Sequence, residues 1–148
     1  MTDNAAPRPR SPRWWDAGLV FECTGCGACC RREGVVEFTA DEATAAARFL
    51  LGPNAVASDI GGATWRRLAD GSYQVGVPRG GGCAFLSSDN LCVIQPVKPA
   101  QCATYPFWRS IVARPRPWLA ESRECEGIGR GRTWTREEID AALARTDI

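Results

Sequence analysis

Alternation gives the first legible element. Tyr73, Val75 and Val77 are separated by Gln74 and Gly76, a period of two that predicts a strand buried on one face. Asp70-Gly71 just upstream is a turn dipeptide, so residues 64–68 and 73–77 are expected to pair as a hairpin. Residues 35–38 (VVEF) and 107–112 (FWRSIV) also read as strands. A second hairpin is expected from 83–86 (CAFL) and 91–94 (LCVI) around the polar turn 87–90. Helical punctuation is equally plain at two places. Thr39 followed by Glu42 is a capping-box pattern, and the alanine-rich run behind it predicts a helix over residues 40–51, stopped by Gly52 and Pro53. Phe49 and Leu50 are expected near its buried end. Thr135 with Glu138 repeats the pattern and predicts a helix over residues 136–145, with Trp134 and Ile139 as a hydrophobic staple. Residues 98–102 suggest a helical turn opening near Pro99. Residues 1–17, rich in proline and arginine, are expected to be disordered or loosely docked, with Trp14 and Trp15 folding back onto the body because two adjacent exposed tryptophans are costly. The remainder, 18–148, is expected to be a single α+β domain with short hairpins, two helices and long loops.

Composition narrows what such a domain can do. With 148 residues the core is real but modest. Histidine is absent and cysteine occurs eight times, at Cys23, Cys26, Cys29, Cys30, Cys83, Cys92, Cys102 and Cys125. The commonest general base and the commonest nitrogen ligand are therefore missing, and a metal site here has to be thiolate-rich. No leader-like apolar run opens the chain, and no window of about 18 apolar residues predicts a membrane span. A cytoplasmic setting is expected, where thiols serve metals ahead of disulfides; a disulfide scaffold is the alternative. The formal charge of +1 counts each cysteine as neutral, whereas metal ligands are thiolates. Cationic character rests on seventeen arginines and one lysine, Lys98, and Arg31 and Arg32 are best placed to offset thiolate charge.

Residues 23–30 read CTGCGACC. Two-residue spacers let a chain turn around a metal and present successive sulfurs, and Gly25 and Gly27 ease the bend. Three cysteines so spaced resemble the wrap around a four-iron cluster, whose fourth ligand comes from elsewhere. The adjacent pair Cys29 and Cys30 does not readily reach one ion, since neighbouring side chains diverge. Two centres are therefore expected. One takes Cys23, Cys26, Cys29 and one downstream thiol; the other takes Cys30 and three of Cys83, Cys92, Cys102 and Cys125. A buried, non-ligating thiol within the adjacent pair is the alternative. Zinc and an iron–sulfur cluster both suit the donor set, with [4Fe-4S] slightly favoured. The glycines at 80–82 and 127–131 would let backbone N–H groups approach sulfur, or else form ordinary loops. The 127–131 run lacks the spacing of a nucleotide fingerprint.

The order of CxxCxxCC (23–30), CAFL (83–86), LCVI (91–94), KPAQCATYPF (98–107) and CEGIG (125–129) resembles the YkgJ-type CxxCxxCC cysteine-cluster family. The likeness spans roughly residues 21–129 and all eight cysteines. It implies a bacterial-type cytoplasmic protein that chelates zinc or iron, often labelled as containing an Fe–S cluster. Gln95 stands where relatives often carry tyrosine, Lys98 precedes Pro99 where arginine is usual, and Ala103 follows Cys102 in place of a common arginine. These departures spare the cysteines. The expected role is structural or electron-transferring, with a protein or redox partner that the residues do not identify. An Fe–S-dependent redox or group-transfer enzyme is the first alternative, with Tyr73, Tyr105, Lys98 and scattered carboxylates as its few acid–base groups. Glu121, Glu124 and Glu126 around Cys125 read as a solvated acidic loop. A zinc-stabilised nucleic-acid or protein-binding module is the second alternative. Nucleic acid is disfavoured because paired zinc-ribbon knuckles are missing and the tryptophans read as core.

Overall fold

A computed structural model describes residues 9–146; residues 1–8 of the expected tail lie outside them. The chain folds as α+β around two hydrophobic clusters.

The first cluster is aromatic. Strand β1 (Leu19–Phe21) pairs antiparallel with β5 (Ile128–Trp134), with Leu19 opposite Trp134 and a bulge before Phe21. Trp15, Phe21, Phe107, Ile111, Val112, Trp118 and Ile139 are buried together. Phe107 lies against Trp118 with the rings nearly parallel, and Trp134 packs on it at a tilt, ring centres 4.7 Å apart. Three helices complete this lobe: α3 (Arg109–Val112), α4 (Pro115–Glu121) and α5 (Arg136–Arg145). The capping box at Thr135 opens α5, and Ile139 is fully buried beside Trp134, which is the expected staple. Trp14 and Trp15 do fold back. The Trp14 indole N–H donates to the carbonyl of Val112 at 2.7 Å, and Trp15 is 5 % exposed. Arg10 on Glu137 and Arg136 on Asp16, both at 2.6 Å, pin the segment down.

The second cluster is a three-stranded antiparallel sheet in the order β2 (Gly34–Phe38), β4 (Tyr73–Val77), β3 (Trp65–Arg67), backed by α1 (Ala40–Leu51). Gly34 faces Val77 and Phe38 faces Tyr73 across β2–β4, while Trp65 faces Val75 across β3–β4. Tyr73, Val75 and Val77 all point inward, as the alternation predicts. Helix α1 begins with the predicted capping box and ends where Gly52 turns at φ +112°. Its buried face differs from expectation. Ala43, Ala46 and Ala47 are fully buried, whereas Phe49 is 49 % and Leu50 37 % exposed. Small methyl groups at i, i+3 and i+4 let the helix lie close on its partner. Leu50 shares their angular position but lies a turn further on, and Phe49 faces away.

Further readings are corrected. Residues 107–112 form no strand, because residues 109–112 are the short helix α3. Two helices and a helical turn near Pro99 were expected; the turn is α2 (Ala100–Thr104), and α3 and α4 are present in addition. The second hairpin reduces to a single bridge between Leu86 and Cys92, with turns on either side. The 127–131 glycine run, open to reading as N–H donors to sulfur or as an ordinary loop, belongs largely to β5.

Candidate metal centres

All eight cysteines are free thiols, and each lines one of two adjoining cavities between the clusters. The inner cavity, of about 100 Å³, is bounded by Cys23, Cys29, Cys30, Cys83, Cys92 and Cys102. The outer one, of about 260 Å³, is bounded by Cys23, Cys26, Cys29, Cys102 and Cys125. Cys30, Cys83 and Cys92 face only the inner space; Cys26 and Cys125 face only the outer.

Local chemistry explains each placement. Residues 29–31 form a single 3-10 turn in which Cys30 N–H bonds back to Gly27 O. Gly27 sits at φ +75°, and a Cβ there would come within 3.2 Å of Asn90 O, so glycine suits this bend. Arg31 then bonds to the side chain of Asn90, and Cys83 N–H donates to Cys30 O at 2.7 Å. These contacts fasten the Cys30 turn to the segment carrying Cys83 and Cys92.

Cys83 and Cys92 occupy matching turns. The carbonyl of each accepts the N–H three residues on, from Leu86 and Gln95 respectively. The N–H groups two residues on, of Phe85 and Ile94, pull the respective thiol pKa values down, against the stronger upward effect of burial. Backbone donors aimed at sulfur stabilise a thiolate and tune a metal bound to it. Phe85 and Ile94 are themselves buried in the sheet cluster, against which both cysteines pack.

Cys102 is set by α2, which is tied twice to the sheet lobe. The Glu42 carboxylate accepts from Ala100 N–H at 2.8 Å while also closing the capping box of α1. Gln101 bonds along the edge of β2, accepting from Glu37 N–H at 2.8 Å and donating to Val35 O at 3.0 Å. Cys125 is buried in the aromatic cluster. Its neighbourhood is joined to the first cysteine loop by Glu22 N–H to Gly127 O at 3.1 Å and by Thr24 Oγ1 to Glu126 at 2.5 Å. A Cβ on Gly127 would meet Glu22 O at 2.2 Å, so only glycine permits this approach.

Burial favours the neutral form of three thiols. It raises Cys83 and Cys92, and pushes Cys102 up to about 12. The adjacent pair divides a proton: hydrogen bonding from Cys30 holds Cys29 below the usual thiol range, and the same bond raises Cys30. Lys98, the single lysine, lines both cavities and is the first-ranked cation acting on Cys29.

The sequence reading missed a polar cluster around Tyr105, which lines both cavities. Tyr105 O–H donates to Glu121 at 2.5 Å, and Arg32 reaches the same oxygen at 2.7 Å, its guanidinium 5.8 Å from the Tyr105 ring centre. The Glu121 side chain is only 13 % exposed, so it is no solvated loop carboxylate. The Tyr105 hydroxyl also interacts with Cys125, and its pKa is raised chiefly by burial and then by Glu121. Arg32 therefore serves a carboxylate first and the thiols second. Tyr105 in the string YPF beside Cys102 was the available signal; nothing in the sequence pairs it with Glu121.

The donor set fits zinc or iron. Thiolates with backbone N–H donors and no imidazole suit tetrahedral zinc or an iron–sulfur cluster. Among the described residues no three Cys, Asp or Glu side chains are gathered closely enough to grip an ion directly. The sulfurs stand instead around cavity walls, a disposition suited to loading in which metal binding and folding are coupled. Among the described residues no helix is long and apolar enough to cross a membrane.

Comparison with known proteins agrees with this chemistry. No curated protein and no solved structure matches the chain. The model of the CxxCxxCC family, described as "Putative zinc- or iron-chelating domain", matches residues 22–126. The match spans more than half of the chain and takes in every cysteine, so the protein belongs to the CxxCxxCC family.

Proposed function

We propose that this protein chelates zinc or iron at two thiolate centres and serves a structural or electron-transfer role. One observation carries the reading: eight cysteines from five separate stretches of chain all line two adjoining cavities. Cys23, Cys26, Cys29, Cys30, Cys83, Cys92, Cys102 and Cys125 would hold the metal. Zinc would supply a rigid tetrahedral staple, and an iron–sulfur cluster would supply one-electron chemistry. The CxxCxxC wrap and the N–H groups aimed at Cys83 and Cys92 favour iron–sulfur.

The chain's own residues have three tasks in this reading. Phe85 and Ile94 present N–H donors to sulfur; Lys98 places positive charge between the two thiol groups; Val36, Phe38, Phe85 and Trp108 wall the inner space with apolar surface. Anaerobic purification followed by elemental analysis and visible and EPR spectroscopy tests the proposal. Zinc or iron retained by the folded chain is expected, with broad visible absorption if the centres are iron–sulfur. Fully reduced protein that stays folded and retains neither metal would contradict it.

A further inference from the structure

The CxxCxxC spacing assigns three thiols to one centre but leaves the fourth open among Cys83, Cys92, Cys102 and Cys125. We infer that Cys125 completes the outer set with Cys23, Cys26 and Cys29, and that Cys30, Cys83, Cys92 and Cys102 form the inner set. This deepens the chelating reading above and rests on it.

Two independent observations lead there. The first is which cavity each thiol faces. Cys23, Cys26, Cys29 and Cys125 all line the outer cavity, and Cys30, Cys83, Cys92 and Cys102 all line the inner one. Cys23, Cys29 and Cys102 face both spaces; the CxxCxxC spacing keeps the first two with Cys26, and Cys102 could serve either set. Cys125 faces only the outer one, so giving Cys102 to the outer set would leave Cys125 with no inner site to join. Cys83 and Cys92 do not face the outer cavity at all.

The second observation is how the backbone is fastened. Residues flanking Cys125 bond to residues flanking Cys23 through Glu22–Gly127 and Thr24–Glu126, and the Gly127 contact tolerates no side chain. Residues flanking Cys30 bond to those of the other group through Cys83 N–H to Cys30 O and Arg31 to Asn90. The Leu86–Cys92 bridge then joins the two matching turns. The Cys23 and Cys125 segments are thus fastened to each other, as are the Cys30 and Cys83–Cys92 segments, while the two sets meet at the 27–30 turn, where Cys30 N–H bonds to Gly27 O. Cys29 and Cys30 stand at the divide, one in each set, with a single peptide bond joining the two centres.

Pairwise serine substitution tests the grouping. C26S and C125S should each lose about half of the bound metal, and C26S/C125S should lose no more than either single variant. C83S and C92S should behave likewise, whereas C26S/C92S should lose nearly all. If C125S/C92S keeps half the metal while C26S/C125S keeps none, the grouping is overturned and the chelating reading survives. If wild-type protein binds no metal, the chelating reading itself fails. A measurement on wild-type protein covers variants that do not fold: chelator is added stepwise, exposed thiols are alkylated, and the modified cysteines are mapped by mass spectrometry. Cys125 should become reactive in step with Cys23 and Cys26. Reactivity in step with Cys83 and Cys92 would overturn the inference.

Discussion

The two lobes solve the problem of a small core by different means. The aromatic lobe stacks Phe107 on Trp118, packs Trp134 against it at a tilt, adds Phe21 edge-on, and closes with Trp15 and the fully buried Ile139. Its outer ties are ion pairs from Arg10, Arg132 and Arg136. The sheet lobe packs Phe38, Trp65, Tyr73 and Phe85 together, on a lighter framework. Its helix contributes alanines, its sheet has three short strands, and its loop from 78 to 99 contains one isolated bridge as its only strand-type pairing. That loop carries Cys83 and Cys92. The aromatic lobe buries one thiol, Cys125, whereas Cys83 and Cys92 pack against the sheet lobe and Cys102 is tied to it through Gln101 and Ala100. Metal is accordingly expected to matter more to the sheet lobe.

Chelation is the sharpest way to break that contrast and should have the largest effect. Stripping metal from reduced protein should abolish hydrogen-exchange protection of amides in β2 and β4 while those of α5 stay protected. Uniform loss, or none, would erase the distinction between the lobes. Next in size is Phe107→Ala, which opens a cavity among stacked rings and should cost about 3–5 kcal/mol in urea unfolding of the loaded protein. Bound metal per folded chain should stay unchanged, because Phe107 lines neither cavity.

Gln101→Ala should cost less, about 1–2 kcal/mol, since it removes two hydrogen bonds to the exposed β2 edge. Its informative readout is metal retention: Cys102 should lose its registration, so metal should leave faster under chelator than in Phe107→Ala. Equal release rates would separate α2 from the inner centre. The smallest effect concerns acid. Glu137 is held below the ordinary carboxylate range by its bond from Arg10, Glu138 by backbone N–H donation from Thr135, and Asp16 by that from Arg13. The folded state therefore binds fewer protons than the unfolded one as pH falls. The stability these groups add is present above ordinary carboxylate values and disappears as pH drops through the lowered ones. All three are exposed, so tryptophan fluorescence of chelator-stripped protein should show only slight loosening of the aromatic lobe below about pH 4.5. A pronounced transition there would show that surface ion pairs carry more of that lobe than its stacked rings do.

Legibility in the sequence followed the range of the interactions. Both capping boxes act within four residues, and both helices lie where Thr39 and Thr135 place them. The Tyr73–Val77 strand is equally local, because its alternation records one buried face. Residues 107–112 misled because Phe107, Ile111 and Val112 are buried all round, and a short apolar run has no period of its own to read. The 83–94 hairpin failed for a related reason: its backbone groups turn inward to serve Cys83 and Cys92 instead of a strand ladder. The CxxCxxC loop announced itself by spacing. Gathering it with Cys125 required Gly127 to pass against Glu22, a contact between distant segments. The Arg32–Glu121–Tyr105 cluster is equally non-local.

The most direct test of thiolate chelation is a count of reactive thiols in anaerobically purified, folded protein before and after a strong chelator. The account predicts that the eight cysteines resist alkylation until zinc or iron is removed, and that all of them then react as the metal appears in solution. Thiols that react freely in the untreated protein, including the exposed Cys23, Cys26 and Cys29, with no metal released on chelation, would contradict it.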